Sequence, residues 1–253
     1  VDIRNAILDG TLLVCSDGSF DPWRDIGCHA WVFADIVGEI LLKGAGPIDC
    51  APDMLSPYRS EVGGIVALLY ILSVIVKLYD LTEGTVTLYC DNKSALGNVF
   101  EAGPRREIYS LFAVDYDLIL LGKDLHQTLP IKVVPKHVKG HYTGNFREVQ
   151  HDLNALADEM AEQFRLNPPP GYEPSNYPWY HSAQGAMVLS VDSMITSKLK
   201  QVIYESLYFA PLMDTIWKRN KWGEAVAFQD VDWLAFGSAF KSYSRYQQIG
   251  QIK

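Results

Sequence analysis

Thr11-Leu12-Leu13-Val14-Cys15-Ser16-Asp17-Gly18-Ser19 is the stretch that most clearly indicates the fold class. Its apolar first half is typical of a buried strand, and Asp17-Gly18-Ser19 is typical of a turn that closes the strand. A carboxylate directly after a buried strand is unfavourable unless a cation or a set of hydrogen bonds compensates its charge. A helix cap or an Asx turn would explain a single acid of this kind, so Asp17 indicates a metal site only together with further acids.

Strand and helix signals alternate over the first two thirds of the chain. The order is three strands, a helix, a strand, two helices, a strand and a last helix. This order predicts an α/β fold with one five-stranded mixed sheet flanked by helices. The predicted strands cover about 11–16, 28–36, 39–44, 85–90 and 131–134, and the predicted helices about 56–80, 94–100, 105–121 and 149–164.

The longest predicted helix contains an uncharged run. Ser56 is a suitable N-cap, Pro57 suits the first turn, and residues 62–76 then carry no charge. Fifteen uncharged residues are short for a membrane span of about 20, so we expect a buried helix and no membrane partner. The first residues of the chain do not resemble a signal peptide.

Charge is distributed unevenly along the 253 residues. The formal net charge is −8; residues 1–165 carry 14 basic and 23 acidic residues, a net of −9, and residues 166–253 carry a net of +1. This balance argues against a surface that attracts nucleic acid by charge alone, but it is compatible with acids held locally at a metal site. Four cysteines without CxxC spacing indicate a reducing, intracellular compartment, cytoplasm or nucleus, rather than secretion.

A proline cluster marks the predicted domain boundary. Asn167-Pro168-Pro169-Pro170-Gly171 cannot continue a helix and is typical of an extended spacer. We therefore predict a domain at 9–165, a Pro-rich linker at 166–183 and a small helical C-terminal region at 184–253. Apolar residues recur with a helical period in that last region. Its interleaved lysines and aromatics suit either nucleic-acid contact or a small core, and we favour the core.

Three further acids occupy positions comparable with that of Asp17. Asp91 directly follows the strand predicted at 85–90, Glu61 lies in the first turn of the long apolar helix, and Asp158 borders the apolar stripe of the last helix. Each alone has an ordinary explanation as a cap, a helix-dipole partner or a solvated acid. Together they match a two-metal phosphoryl-transfer site, in which several carboxylates hold two Mg²⁺ ions about 4 Å apart.

Five short motifs carry a resemblance to a known family. They are Cys15-Ser16-Asp17-Gly18-Ser19, Tyr58-Arg59-Ser60-Glu61, Leu88-Tyr89-Cys90-Asp91-Asn92, Val138-Lys139-Gly140-His141 and Asn154-Ala155-Leu156-Ala157-Asp158. Through them, residues 9–165 resemble the ribonuclease H domain attached to reverse transcriptases of retroelements. The resemblance implies a ribonuclease H-like fold and a metal-dependent endonuclease that hydrolyses the RNA strand of RNA–DNA hybrids.

The resemblance also implies roles for individual residues. Asp17 would bridge two Mg²⁺ ions, for which Mn²⁺ could substitute. Glu61 and Asp91 would complete the ion on the leaving-group side. Asp158 would help to hold the ion that activates water, and His141 would assist proton transfer or product release. The predicted substrate contacts are Ser19, Tyr58, Lys93 and Asn154.

Several positions depart from the family pattern. Pro57 and Tyr58 stand where bacterial members tend to carry asparagines, and Lys93 stands where a glutamine often follows the third carboxylate. We therefore expect weak intrinsic binding of hybrid. No Tyr-x-Asp-Asp polymerase motif occurs, so a reverse transcriptase would have to be another domain or a partner subunit. Cys15 and Cys90 are interpreted as core thiols, since hard oxygen ligands suit Mg²⁺ better.

Two alternatives to a ribonuclease H remain open on the sequence. One is a nuclease or integrase of the same fold that acts on DNA, and the other is a non-catalytic scaffold. Val138-Lys139-Gly140-His141 and the spacing of Asn154 from Asp158 favour ribonuclease H over the first. The presence of all four acids disfavours the second.

Overall fold

Part of the chain is described by the computed structural model. The chain divides into two units, Val1–Leu199 and Lys200–Lys253, and every described residue belongs to the first. The predicted helical region at 184–253 and the predicted linker beyond residue 170 lie outside the described residues. The described residues are 2–48, 50, 54–101, 114–144 and 146–170.

Five strands form one mixed sheet in the described part of the chain. They are β1 (Leu12–Asp21), β2 (Ile26–Ala34), β3 (Ile40–Pro47), β4 (Thr85–Cys90) and β5 (Lys132–His137). Their spatial order is β3-β2-β1-β4-β5. β1 pairs with β2, and β2 with β3, in antiparallel fashion, whereas β4 is parallel to both β1 and β5. The predicted five-stranded mixed sheet is confirmed.

Helices cover both faces of the sheet. Within the described ranges they are α1 (Ile3–Leu8), α2 (Pro57–Leu78), α3 (Lys93–Phe100), α4 (Tyr116–Thr128) and α5 (Val149–Leu166). The first four contribute to the main core on one face, and α5 packs on the other face against β1 and β2. The order of elements agrees with the prediction apart from α1, whose six residues are too few to show a helical period.

The predicted turn at Asp17-Gly18-Ser19 is wrong. β1 continues to Asp21, because β2 pairs with it all the way to Asp21 opposite Ile26. The parallel pairing of β1 with β4, in contrast, ends at Cys15. Asp17 therefore lies inside a strand, at the point where that strand loses its parallel neighbour.

The helix predicted at 105–121 is also corrected. Residues 102–113 lie outside the described part of the chain, residues 114 and 115 form a turn, and α4 runs past residue 121 to Thr128. Asp115, just before α4, has a left-handed backbone with φ of 55°. Its carboxylate is buried in an ion pair with Arg59, and this tertiary contact overrides the local helical pattern.

The helix α2 is the central element of the main core. Ser56 caps it by accepting a hydrogen bond from the backbone N–H of Arg59, as its sequence predicts. By length and composition α2 is apolar enough to cross a membrane, but most of its apolar stretch is buried within this fold. The expectation of a buried helix is therefore confirmed.

The first turns of α2 lie in direct contact with β1. A Cβ added at Gly18 would collide with the backbone of Ser60 and Glu61. One turn further along, a Cβ on Gly64 would lie 3.1 Å from the main-chain oxygen of Asp17. The absence of a side chain at residue 18 thus allows the helix to bring Glu61 onto β1.

A buried arginine joins the start of α2 to the start of α4. The side chain of Arg59 is fully buried. Its Nη1 donates to Asp115 Oδ1 at 3.0 Å and to Asp117 Oδ1 at 2.9 Å, and its Nη2 donates to Asp117 Oδ2 at 2.7 Å. The two bonds to Asp117 form the bidentate geometry in which Arg–carboxylate pairs are strongest.

We predict that Arg59→Met destabilises the protein by about 3–5 kcal/mol, because it leaves two carboxylates without their buried partner. Urea unfolding measures this change. Arg24→Met is the matched control, since the Arg24 side chain is exposed and lies 3.8 Å from Asp21, a contact worth about 1 kcal/mol or less. A loss at Arg59 no larger than the loss at Arg24 would contradict the proposed importance of the buried pair.

Candidate metal-binding and catalytic site

The register of β1 and β4 places two carboxylates side by side. Leu12 pairs with Val86 and Cys15 with Tyr89. The same register, continued past the end of the pairing, sets Asp17 beside Asp91. Two acids therefore lie next to each other where the parallel pairing of β1 and β4 ends.

Glu61 joins this pair from the second turn of α2, one turn later than its sequence predicts, because the helix begins at Pro57. Its Oε2 accepts a long hydrogen bond of 3.9 Å from the Sγ of Cys90, the last residue of β4. Candidate ligand atoms of Glu61, Cys90 and Asp91 all lie within 4.8 Å of one another. The contact of α2 with Gly18 explains this proximity, because it fixes the Glu61 backbone on β1.

Asp158 approaches from α5, on the opposite face of the sheet. Its Oδ2 lies 3.6 Å from the Nδ1 of His141, whose side chain is 86% exposed. His141 has a left-handed backbone with φ of 46° in the loop that follows β5. The predicted histidine therefore lies at the rim of the site beside the fourth acid.

The loop after β5 packs on the end of β4. The Val138 N–H donates to the Cys90 carbonyl at 3.1 Å, and His137 Nε2 lies 2.9 Å from the Asp91 carbonyl. A Cβ on Gly140 would collide with the carboxylate of Asp91. Without a side chain at residue 140, this loop passes close to the carboxylate of Asp91 as that side chain is now placed.

The acids of the site strongly perturb one another. Burial, followed by the charges of Asp91 and Asp158, raises the pKa of Asp17 to about 8, although the Gly18 N–H donates to Asp17 Oδ1 at 2.7 Å. Burial and the charges of Asp17 and Asp91 raise the pKa of Glu61 to about 9. Burial also raises the pKa of Asp158, although the nearby His141 acts to lower it.

This donor set fits a divalent cation. Mg²⁺ and Mn²⁺ prefer carboxylate oxygens, and the four acids offer several of them. The raised pKa values show that the folded chain holds these carboxylates with too little positive charge nearby, and a cation would remove that deficit. The residues present therefore suit the metal ions that the fold family usually employs.

The four predicted substrate contacts lie on different elements of the fold. Asn154 is 3% exposed, accepts from Cys15 Sγ at 3.6 Å and borders the same cavity as Asp158. The hydroxyl oxygen of Tyr58 accepts a hydrogen bond from Asn98 Nδ2 at 2.6 Å. Lys93 is exposed at the start of α3. Ser19 lies on β1 opposite Cys28. Their roles toward a substrate stay predictions.

A cavity beside Asp158 was not predicted from the sequence. The cavity measures about 220 Å³, and Tyr142, Arg147 and His151 contribute to its lining. The Tyr142 ring stacks on the His151 ring at 4.0 Å. A signal for His151 was present, because residues 151, 154 and 158 lie on one face of a helix. Tyr142 and Arg147 lie in a loop, where no periodicity identifies them.

Comparisons with known proteins reveal similarity only among solved structures. No protein-family model and no curated protein matches the chain. A PFV RNase H domain is 17% identical with a TM-score of 0.46, and the match covers 60% of this chain and 93% of that one. LC11-RNase H1, solved with an RNA/DNA hybrid, is 13% identical with a TM-score of 0.43, covering 60% and 94%. RNase H1 from Halobacterium salinarum is 14% identical with a TM-score of 0.39, covering 60% and 98%.

The fold class follows from the arrangement of the elements. The sheet order β3-β2-β1-β4-β5 has three antiparallel strands followed by two parallel ones. α2, α3 and α4 cover one face, and α5 covers the other. The described part of the chain therefore has a ribonuclease H-like fold.

Proposed function

We propose that this chain is a ribonuclease H-type endonuclease that hydrolyses the RNA strand of RNA–DNA hybrids with the help of divalent metal ions. The observation that carries the proposal is the convergence of four acids: Asp17 from within β1, Asp91 from the end of β4, Glu61 from α2 and Asp158 from α5. Burial and mutual repulsion hold two of these acids at pKa values of about 8 and 9. Groups perturbed in this way cluster at functional sites.

The four acids would hold two Mg²⁺ ions, with Mn²⁺ as a substitute. Such ions, when bound, lower the pKa of an attacking water and stabilise the charge on the leaving oxygen. Asp17 lies beside Asp91 if the strand register is continued, and the charge of Asp17 acts directly on the Glu61 carboxyl, whose pKa it raises. It is therefore the best candidate for a carboxylate shared by both ions.

His141 is suited to move a proton at the rim of the site. Its Nδ1 lies 3.6 Å from Asp158 Oδ2. That orientation leaves Nε2 to exchange a proton with solvent or with the substrate's leaving oxygen. A side chain that is 86% exposed can make this exchange without opening the fold.

Binding of the hybrid would depend on more than this domain. Lys132, Lys136 and Lys139 are exposed along and after the edge strand β5, and they are few beside a net charge of −9 over residues 1–165. We propose that a reverse transcriptase domain or subunit, or the region 184–253, supplies additional contacts. The setting would be intracellular replication of a retroelement.

We expect Mg²⁺-dependent cleavage of the RNA strand in a labelled hybrid. Asp17→Asn and Asp91→Asn should each lower the rate about a thousandfold or more, as the loss of several kcal/mol of charge stabilisation implies. Asp25→Asn, in the exposed turn after β1, is the matched control and should retain the rate. Cleavage that survives both site substitutions would refute the assignment, and cleavage of DNA alone would favour a DNA nuclease.

His141→Ala should slow turnover about a hundredfold and leave Mg²⁺ binding intact, because the side chain lies beside Asp158 and serves proton transfer. Single-turnover kinetics and calorimetric Mg²⁺ titration of the same variant separate the two effects. His126→Ala, on α4, is the control. A lost calorimetric signal for Mg²⁺ would show that His141 supports the metal instead.

The metal-free protein should lose stability as pH rises from about 4 to about 9. The folded-state pKa values of Asp17 and Glu61 lie above those of the unfolded chain, so the folded state binds more protons throughout this window. Asp17→Asn should therefore raise the free energy of unfolding at about pH 9 by about 1 kcal/mol or more, and by less at about pH 5.

Urea unfolding in EDTA, repeated with Mg²⁺, measures this effect. Mg²⁺ should stabilise the wild-type chain at the higher pH more than it stabilises Asp17→Asn. A metal-free wild-type protein that gains stability between about pH 5 and about pH 9 would contradict the electrostatic account.

A further inference from the structure

The sheet face on which α5 packs is covered only in part by the described elements. α5 lies over β1 and β2, whereas β4 and β5 follow at the other side of β1. Every second residue of β4 is buried in the core beneath α2. The residues between them point to the α5 face and are only half-buried: Thr85, Thr87 and Tyr89. Their partners on β5 are exposed or half-buried: Lys132, Val134 and Lys136. This half of the sheet is therefore accessible.

A groove of about 530 Å³ lies on this accessible half of the sheet. Its lining includes Thr87 and Tyr89 from β4 and Lys136 from β5. Val149 and Gln150, at the start of α5, also line it. A volume of this size lies within the range of pockets that enclose small ligands. The groove therefore suits a succession of small groups rather than a folded partner.

Arg147 connects this groove with the cavity beside Asp158, because its side chain lines both. Arg147 Nε lies 3.2 Å from Asp152 Oδ1, and the two side chains are 49% and 64% exposed. An ion pair as exposed as this one is weak, so the guanidinium remains available to another anion. The groove and the cavity together form one continuous feature, which we call the track.

Basic side chains follow the track although the domain as a whole is acidic. Three of them line it: Lys136, Lys139 and Arg147. Lys132 extends the row on the same face of β5, about 13 Å before Lys136 at the usual rise of a parallel strand. The lining also contains two acids, Glu148 and Asp158. The Glu148 carboxylate accepts a hydrogen bond from Gln150 Nε2, and Asp158 belongs to the proposed metal site. The row of cations is complementary to a polyanion.

Aromatic rings are interleaved with these cations. Lys136 Nζ lies 6.0 Å from the centre of the Tyr89 ring in the groove. In the cavity, the Tyr142 ring stacks on the His151 ring with 4.0 Å between their centres. Proteins hold single-stranded nucleic acid with this combination, in which cations contact phosphates and rings stack on bases. The bases of a duplex are already stacked on one another, so the rings favour a single strand.

We propose that the track binds single-stranded nucleic acid, with phosphates at Lys136 and Arg147 and a base on the Tyr89 ring. Both RNA and DNA present this chemistry. The binding goes beyond the proposed function, since it needs neither a metal ion nor cleavage. Because the track reaches Asp158, it would hold a single-stranded overhang while the acids act on the paired part of a hybrid. That last consequence alone rests on the proposed function.

Fluorescence anisotropy with the full chain in EDTA tests the proposal, using labelled single strands of about 12 nucleotides. RNA, DNA and a blunt RNA–DNA hybrid are titrated separately at about 50 mM salt. Wild-type protein should bind at least one single strand saturably and more tightly than the hybrid. Lys136→Ala and Arg147→Ala should each weaken binding about threefold to tenfold, and each should reduce the slope of log K against log salt by about 0.7. Tyr89→Leu should weaken binding about tenfold through lost stacking.

Lys43→Ala is the matched control, because Lys43 is exposed on β3, the opposite edge strand of the same sheet. It should leave the affinity for a single strand unchanged. Lys136 and Arg147 are exposed, so their substitution does not threaten the fold, and circular dichroism establishes whether Tyr89→Leu is folded.

Three outcomes overturn the proposal: no saturable binding of either single strand, binding that Lys136→Ala and Arg147→Ala leave unchanged, or a hybrid bound as tightly as a single strand. Hybrid cleavage in Mg²⁺ is measured separately. Single-strand binding that depends on the track, without cleavage, supports this inference and refutes the proposed function. Cleavage without single-strand binding does the reverse.

Discussion

The contact between the first turn of α2 and Gly18 is the constraint on which the rest of the site depends. Because residue 18 has no side chain, the backbone of Ser60 and Glu61 can lie directly on β1. One residue before them, Arg59 ties the same turn to α4 through Asp115 and Asp117. The helix start is thus held from two sides, and the Glu61 carboxylate is held beside the strand that carries Asp17.

That fixation acts against a strong electrostatic force. Asp17, Glu61 and Asp91 repel one another where burial weakens screening by water, as the raised pKa values of the first two show. A loosely held helix would relieve the repulsion by moving away. The buried ion pairs of Arg59 and the apolar core beneath α2 prevent this movement. The fold is therefore less stable than it could be because it holds these acids together in an anionic pocket, as functional sites commonly do.

Local sequence signals predicted the helices and strands of this fold. Where those elements end depends on strand pairing and on tertiary contacts, which the local signals do not contain. The alternation within Thr85–Cys90 and the Ser56-Pro57 cap defined β4 and the start of α2 correctly. The predicted Asp17-Gly18-Ser19 turn was wrong because hairpin pairing with β2 extends β1 to Asp21. The buried pair of Arg59 with Asp115 likewise set the start of α4. The sequence identified the four acids as candidates. Their proximity follows from strand register, which sets Asp17 beside Asp91 when the pairing of β1 with β4 is continued.

This arrangement accounts for part of the net charge of −9 over residues 1–165, because four of the acids are gathered at one place. An acidic domain is a poor ligand for a polyanion as long as its carboxylates are uncompensated. Four of the acids converge at one sheet edge, where bound cations would reverse the local potential. Exposed lysines line the neighbouring edge strand β5, at positions 132 and 136. Metal ions would thus supply, at one place, the positive charge that the rest of the surface lacks, and the affinity for a hybrid would depend on their occupancy more than on the charge of the chain.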